Sequence, residues 1–182
     1  SALASAREND DLLTETELVT TCGVLLVAGH ETTANLITNG FLALFQNPDQ
    51  LEELKENTSL LPSAIEEILR YDSPLQSIPR LVSKDVVFGG KTFKKGDLVT
   101  VVIGAANRDP SHFSDPHRFD IYRKDNAHIA FGQSVHFCLG ASLARMEIPI
   151  AFEALLRRLP NLRLHGETPK WRLSMSLRGL ES

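Results

Sequence analysis

The feature that most constrains the fold is one long helical run without proline. The pattern extends from about Thr16 to Phe45, which predicts a helix roughly 45 Å long at 1.5 Å per residue. Between Val19 and Leu36 apolar residues occupy nearly all sides, so we expect this helix to cross a core. Glu15 and Glu17 suit its positive N-terminal end, and the stretch Asn47–Gln50 ends it.

Two shorter helices are predicted next, one over Asp49–Glu56 and one from near Pro62 to just before Pro74. The sequence then changes to short runs of β-branched residues, interrupted by Gly89-Gly90 and Lys95-Gly96. This pattern predicts hairpins.

The next segment, 107–127, is aperiodic and rich in Pro, Asp, Arg and His, which predicts a long ordered loop. A strong helix follows from about Leu139 to Leu159, in which Pro149 is expected to produce a kink. Residues 161–182 alternate weakly and predict short strands. The predicted fold class is mainly α with small β-hairpins.

Composition narrows the class of protein. The 182 residues suffice for one domain with a real core, or for part of something larger. A net charge of −4, with no basic block, argues against nucleic acid as the main partner. Two cysteines, Cys22 and Cys138, make no disulfide framework, which favours a reducing compartment and a cytoplasmic location. Apolar runs such as Val24–Ala28 are too short to cross a bilayer.

Cys138 is the first candidate for chemistry because it lies where a helix is predicted to begin. Unpaired backbone N–H groups and the helix dipole favour a thiolate there, the form that binds metals or attacks carbon. Gly132 and Gly140 leave room for a large, flat group, and His136 can donate to an anion. Two alternatives stay open: a buried cysteine that packs as a small hydrophobe, and a nucleophilic Cys–His pair.

The stretch Gly29–Leu36 reads GHETTANL and begins as zinc-protease helices do. That motif needs a second histidine four residues after His30, and position 34 is Ala, so a zinc site is excluded.

Glu31 and Thr32 nevertheless stand out in the most apolar helix. A carboxylate there is costly to bury unless it is hydrogen-bonded, hydrated or functional. Thr32 can donate to the carbonyl of Ala28 and, beside Gly29, widen the helical groove. The alternative is a capped polar patch that faces a neighbouring domain.

Glu67 and Arg70 are three residues apart and share a helix face. The simple interpretation is an exposed ion pair worth a few tenths of a kcal/mol. We also expect Arg118 to be a second cation for Glu67, in a network that pins the long loop to the helix.

Four motifs together resemble a known family. In chain order these are AGHETT (Ala28–Thr33), EILR (Glu67–Arg70), PHRF (Pro116–Phe119) and FGQSVHFCLG (Phe131–Gly140). The chain resembles the C-terminal half of a soluble, bacterial-type cytochrome P450, a haem-thiolate monooxygenase. The likeness covers nearly the whole chain and implies that residues 1–182 form the C-terminal, haem-ligating part of a single domain whose N-terminal half is absent.

The resemblance implies that haem b is bound through the Cys138 thiolate as axial ligand. Phe131 matches the aromatic residue beside the haem, and His136 and Arg80 match donors to its propionates. Ser134 stands where the family usually has Gly, which puts the loop geometry in question.

On the distal side, Glu31 and Thr32 match the family's acid–alcohol pair, which holds oxygen and relays protons to it. Ala28 and Gly29 then border the groove for dioxygen and substrate. Glu67, Arg70 and Arg118 match a buried charge triad that supports the ligand loop. The resemblance also implies a substrate pocket formed by Leu75, Ser77, Ile78, Met175, Ser176 and Leu177.

The implied reaction inserts one oxygen atom of O2 into a mostly apolar organic substrate, with electrons from a ferredoxin- or flavodoxin-type donor. Two alternatives are a haem-free relative that acts as a partner or activator of another enzyme, and an inactive truncated fragment. Exposed apolar surface on the long helix favours self-association of such a fragment.

Overall fold

A computed structural model describes residues 7–8, 11–166 and 169–181. Two short antiparallel strands, β1 (Arg7–Glu8) and β2 (Asp11–Leu12), precede the first helix. The predicted short strands of 161–182 include positions 167, 168 and 182, which lie outside the described residues.

The long helix α1 spans Glu15–Phe45, within one residue of the prediction. Its start is fixed by a capping box, in which the backbone N–H of Glu17 donates to Thr14 Oγ1 at 3.3 Å and that of Thr14 donates to Glu17 Oε2 at 2.9 Å. The hydrogen bonds from Thr14 lower the pKa of Glu17, because they favour its charged form.

Two further helices follow, α2 (Pro48–Glu56) and α3 (Leu61–Tyr71), joined by a 3-10 turn. Each has a proline in its first turn, where the missing N–H removes no helical hydrogen bond.

The core lies where the C-terminal half of α1 meets α3 and the last helix, α5 (Ala141–Arg158). Phe41 and Phe152 stack with ring centroids 4.6 Å apart. A Cβ on Gly40 would stand 2.7 Å from Phe152 Cζ and 2.9 Å from Ile68 Cδ1, so glycine lets the helices approach this closely.

The N-terminal half of α1 does not cross a core in this chain, contrary to the prediction from its apolar surface. Val19, Val24, Leu26 and Val27 are each at least 60% exposed, whereas the buried residues of α1 begin only at Asn35. The elements that the structure describes pack on the second half of the helix, which leaves the apolar side chains of the first half exposed.

The predicted hairpins are confirmed in part. Strands β4 (Val86–Phe88) and β5 (Lys91–Phe93) pair through a two-residue turn, where Gly89 and Gly90 have φ of +57° and +74°. Two positive φ values are typical of a type I′ turn, which favours glycine.

The next strand, β6 (Leu98–Val102), pairs with the earlier β3 (Ser77–Leu81) in antiparallel register, Ser77 opposite Val102. A four-residue helix, α4 (Ile103–Ala106), follows β6.

The predicted strands of 161–182 appear, among the described residues, only as isolated antiparallel bridges. Leu177 pairs with Leu75 and ties the C-terminal segment to the rest, whereas Trp171 pairs with Leu180 and folds the segment back on itself as a hairpin. No helix in the described part of the chain is long and apolar enough to cross a membrane.

Candidate active site

A cavity of about 530 Å³ lies between α1, the β3–β6 pair and the loop that precedes α5. Its wall is mostly apolar and includes Leu36, Leu69, Ile78, Val101, Ile103 and Ala130. Of the predicted cofactor-binding residues, the following line it: Ala28, Arg80, Phe131, Gly132, His136 and Cys138. Among the described residues, Gly29 and Gly140 do not contribute to this lining.

Cys138 has an exposed side chain and lies three residues before α5. Its backbone N–H donates to the carbonyl of Phe131 at 2.8 Å, and its own carbonyl accepts from the N–H of Ala141 at 3.2 Å. These bonds close the loop on itself and hold the thiol at the cavity. A buried, purely structural cysteine is therefore the wrong interpretation.

The backbone of this loop contains two left-handed positions. Gly132 has φ of +71°, and a Cβ there would stand 3.3 Å from the carbonyl oxygen of His136, so glycine is required. Ser134 has φ of +58°, which costs an L-residue roughly 1–2 kcal/mol. This is the position at which the resembled family usually has Gly, so the question raised about the loop geometry was justified.

The described residues that line the cavity include three with side-chain N–H donors. These are His136, in the 3-10 turn Ser134–His136, Gln133 just before it, and Arg80 on β3. Arg80 Nη1 donates to the carbonyl of Pro79 at 3.0 Å, and the guanidinium has further N–H groups for another acceptor.

The two residues of the predicted acid–alcohol pair lie in different places. Thr32 lines the cavity, and its Oγ1 donates to the carbonyl of Ala28 at 2.6 Å, as predicted. Glu31 does not line the cavity among the described residues, because its carboxylate pairs with Arg172, with 2.9 Å between Oε1 and Nη1.

The predicted substrate-pocket residues separate into two groups. Leu75 and Ile78 line the main cavity, whereas Ser77, Met175 and Leu177 line a smaller one of about 340 Å³ beside it. Ser176 belongs to the same segment, and its carbonyl accepts from the N–H of Gln76 at 2.7 Å.

Glu67 and Arg70 form a buried ion pair, at 0% and 1% exposed, rather than an exposed one. Arg70 Nε and Nη2 each donate to the Glu67 carboxylate at 2.8 Å. The guanidinium also donates to the carbonyls of Asn107, Pro116 and Arg118. The predicted pinning of the long loop to α3 is therefore confirmed.

The second cation of this network is Arg123, which corrects the prediction for Arg118. Arg123 Nε lies 3.1 Å from Glu67 Oε2, and its side chain is buried. Arg118 turns outward, 66% exposed, and pairs with Asp120 at 2.6 Å. Only the backbone carbonyl of Arg118 takes part, because the loop bends there and carries its side chain to the surface.

The family model described as Cytochrome P450 matches residues 1–177. This chain belongs to the cytochrome P450 family. It is 50% identical over 184 residues to cytochrome P450 107B1 of Saccharopolyspora erythraea, which covers all of this chain and 45% of that protein. It is 48% identical over 181 residues to the biotin biosynthesis cytochrome P450 of Bacillus subtilis, again over all of this chain and 46% of the relative.

Solved cytochrome P450 structures share the fold. The P450 monooxygenase TamI, bound to tirandamycin C, superposes with a TM-score of 0.93 at 47% identity, over 99% of this chain and 46% of that one. P450BioI in complex with a fatty-acyl carrier protein superposes with a TM-score of 0.90 at 49% identity, over 94% of this chain and 44% of that one. The chain thus spans about half the length of the relatives it matches, and the cofactor that this P450 membership implies is a haem–thiolate group.

Several contacts around this P450 site were not predicted from sequence. Those of Arg123 and Arg172 are described above, and Thr33, which lines the cavity, donates to Glu147 on α5 at 3.2 Å. In addition, Glu66 accepts from Arg145 on α5 at 2.7 and 2.9 Å and from His128 at 3.0 Å.

Burial raises the pKa of Glu66, but the hydrogen bonds and charges of Arg145 and His128 outweigh it and lower that pKa to about 2. The Arg145 guanidinium also lies 4.6 Å from the ring centroid of Phe131, so the ion pair is continuous with the loop that carries Cys138. The only feature of the sequence that hinted at this ion pair was the position of Glu66 next to Glu67 on a predicted helix.

Proposed function

We propose that residues 1–182 are the C-terminal, haem-ligating part of a single cytochrome P450 domain. The enzyme inserts one oxygen atom of O2 into a mostly apolar organic substrate. One observation carries the proposal: a single apolar cavity is lined both by the exposed Cys138 thiol and by Thr32 of the long helix.

The residues of the cavity fit a haem. An exposed thiol three residues before a helix suits an anionic axial ligand, and the apolar wall suits a flat macrocycle. His136 and Arg80 supply charge-assisted donors for two carboxylates. Gly132 keeps the backbone of the loop close and free of a Cβ.

When bound, the haem supplies the oxygen activation, which the thiolate of Cys138 favours by donating electron density to iron. In the overall reaction a C–H bond becomes C–O–H, and the second oxygen atom leaves as water. A ferredoxin- or flavodoxin-type donor supplies two electrons, and solvent supplies two protons.

The long helix α1 carries the residues that transfer protons to the cavity. In the structure the Thr32 hydroxyl donates a hydrogen bond to Ala28 O. The lone pairs of Oγ1 are therefore free to accept a hydrogen bond from a donor in the cavity. When that hydroxyl rotates away from Ala28 O, Oγ1 donates into the cavity instead. Glu31 is the nearest carboxylate along the helix, and its side chain is partly exposed to solvent.

The substrate contacts follow from the cavity wall. Leu75 and Ile78 present apolar surface, and the hairpin tip around Met175 to Leu177 closes the neighbouring cavity. Their mixed character fits a medium-sized, mostly apolar molecule.

The test is spectroscopic. Haem is added to the purified chain, which is then reduced under carbon monoxide, and the Soret band is recorded. A strongly red-shifted thiolate–carbonyl band is expected. Cys138→Ser should abolish this band, while Cys22→Ser, a change at the other exposed thiol, should leave it intact. A band that survives Cys138→Ser would overturn the ligand assignment. If the haem-free protein instead fully activated a second enzyme, the activator alternative would be favoured.

The role of Thr32 is tested in the longer polypeptide of which we propose this chain is a part. Thr32→Ala should keep the thiolate spectrum but divert electrons to peroxide. Thr38 is the matched control, because it also donates to a carbonyl of α1 one turn back but does not line the cavity in the described chain. Equal peroxide yields from both variants would refute the proton role of Thr32.

A further inference from the structure

The Glu66 carboxylate joins three elements of the structure, although among the described residues it is not part of the cavity wall. It lies on α3 and accepts from Arg145 on α5 and from His128 in the segment that leads to Cys138. Arg145 donates through Nε and Nη2 to the two oxygens of Glu66, at 2.7 and 2.9 Å. Two parallel N–H···O bonds fix the plane of a guanidinium as well as its position, so Glu66 determines where the Arg145 charge lies.

The Arg145 guanidinium lies over Phe131. Its Cζ is 4.6 Å from the ring centroid, which is within the range of a cation–π contact. The carbonyl of Phe131 accepts from the Cys138 N–H at 2.8 Å, so the ring and the thiol belong to one closed loop, residues 131–140. A change in the position or charge of Arg145 therefore acts directly on the loop that carries Cys138.

His128 holds Glu66 from the loop side. The His128 side chain is 3% exposed, its Nε2 lies 3.0 Å from Glu66 Oε2, and its Nδ1 accepts from the N–H of Ala130 at 3.2 Å. Because Nδ1 is the acceptor, Nε2 carries the hydrogen that is donated to the carboxylate. The position of Glu66 thus does not depend on Arg145 alone, and the carboxylate stays in place when Arg145 is removed.

The charges of this ion pair interact with Cys138. The hydrogen bond to Glu66 is the largest cause that raises the pKa of Arg145, and the negative charges of Glu66 and of the Cys138 thiolate raise it further, against the opposing effect of burial. A Coulomb interaction is mutual, so the Arg145 charge also contributes to the electrostatic potential at the Cys138 sulfur. Glu66 offsets part of that contribution.

We propose that Glu66 is a positioning residue for the loop that carries Cys138 and that it acts through Arg145. It holds the guanidinium over Phe131 and offsets its charge, and this balance sets the electrostatic potential at the sulfur. A positive charge beside a metal ligand favours the reduced metal. The ion pair thus determines how easily iron bound to Cys138 accepts an electron. This last step rests on the proposed function, whereas the potential at the sulfur does not.

The potential at the sulfur is measured without cofactor, in a Cys22→Ser background where Cys138 is the only cysteine. The haem-free chain is alkylated with anionic iodoacetate and, separately, with neutral iodoacetamide, and the ratio of the two rates is compared between variants. Each reagent forms a C–S bond and releases iodide, so both rates depend on the same thiolate and only the charge of the reagent differs. The ratio therefore reports the potential beside Cys138.

The two members of the ion pair should move this ratio in opposite directions. Glu66→Gln leaves the Arg145 charge without its counter-ion, so the ratio of iodoacetate to iodoacetamide rates should rise by about two- to fivefold, the factor for partly exposed charges. Arg145→Gln leaves Glu66 bound to His128, so the ratio should fall by a similar factor. The double variant and Arg145→Lys should both stay close to the wild-type ratio. Shifts of both single variants in one direction would refute the balance of charges.

The consequence for iron is measured as the reduction potential of the haem-loaded enzyme, in the longer polypeptide. At the wild-type midpoint, the ratio of ferrous to ferric protein should rise by about two- to fivefold in Glu66→Gln and fall by a similar factor in Arg145→Gln. No shift, or shifts in one direction, would overturn the effect of the pair on iron. Loss of the thiolate spectrum in the parent protein would instead refute the proposed function, and the alkylation ratios would still decide the potential at the sulfur.

Glu153→Gln and Arg157→Gln are the matched controls, because both residues are exposed and lie on α5 at least two turns beyond Arg145. Each control removes the same charge from the same helix and should leave both measurements at the wild-type value. Control shifts as large as those of the ion pair would show that net charge alone moves the measurements, which would contradict the inference. If Arg145→Gln does not fold, the rise in Glu66→Gln against an unchanged Glu153→Gln decides the question.

Discussion

Arg123 and Arg118 differ by five positions in one loop, and the structure predicts opposite consequences for removing them. Arg123 is 8% exposed and donates to both oxygens of the buried Glu67 carboxylate, at 3.1 and 3.3 Å. It also donates to the carbonyls of Ser114, Asp115 and Arg118. Arg118 makes its side-chain ion pair with Asp120 at the surface.

The cost of Arg123→Gln can be estimated from these contacts. Hydrogen bonds to charged groups contribute about 1.5–3 kcal/mol each, and removing one partner of a buried ion pair costs about 3–5 kcal/mol. Glu67 keeps Arg70 and the N–H of Asp120, at 2.9 Å, which places the expected loss near the lower end, about 3 kcal/mol. Arg118→Gln should have no measurable effect on the free energy of unfolding. Its guanidinium is solvated, and the carbonyl that accepts from Arg70 belongs to the backbone and is kept in the variant.

Urea unfolding followed by circular dichroism measures both variants against the parent. With an m-value of about 1–3 kcal/mol/M, Arg123→Gln should lower the midpoint by about 1 M or more. Equal midpoints for the two variants, or a larger loss for Arg118→Gln, would refute the assignment of Arg123 as the second cation of Glu67.

Three further predictions follow from single sites. Because the pKa of Glu66 lies at about 2 rather than 4.5, the stabilisation from its ionised form is complete above pH 4.5 and disappears as the pH falls toward 2; the stability difference between wild type and Glu66→Gln should vanish over that range in acid unfolding, and a difference that persists at pH 2 would contradict it. Ser134→Gly should raise the free energy of unfolding by about 0.5–1 kcal/mol, since it removes left-handed strain at the expense of some chain entropy, and a loss of stability would show that the strain is absent. Gly40→Ala should cost about 1–3 kcal/mol by overpacking against Phe152, whereas Gly23→Ala, with no atom within 4 Å of the new Cβ, should be neutral or stabilising; calorimetry of the two variants checks the contrast.

The helices could be predicted because their signals are local. The bounds of α1 follow from the capping box at Thr14 and the stop at Asn47–Gln50, and prolines mark the starts of α2 and α3. The β4–β5 hairpin follows from two adjacent glycines for the same reason. The pairing of β6 with β3 joins segments twenty residues apart, and nothing local in either strand specifies it.

The candidate site was predictable where one residue meets its own backbone and not where two distant segments meet. The Thr32 bond to Ala28 O is local and was predicted from sequence. The position of Ser134 was marked by the family resemblance, because the family usually has Gly there, but its backbone angle came from the structure. Whether Arg118 or Arg123 pairs with Glu67 depends on how the loop bends. The loop is aperiodic, so its sequence pattern does not predict the bend. The pairing of Glu31 with Arg172 depends on a hairpin at the other end of the chain.

The guanidinium of Arg70 has a consequence for protein engineering. Its bonds to the long loop all end on main-chain oxygens, at Asn107, Pro116 and Arg118, and none ends on a loop side chain. A backbone carbonyl survives any substitution, so the anchor is indifferent to which side chains the loop carries at 116–118. Libraries that vary the exposed positions of this segment can therefore do so without loosening the attachment that holds it to the core.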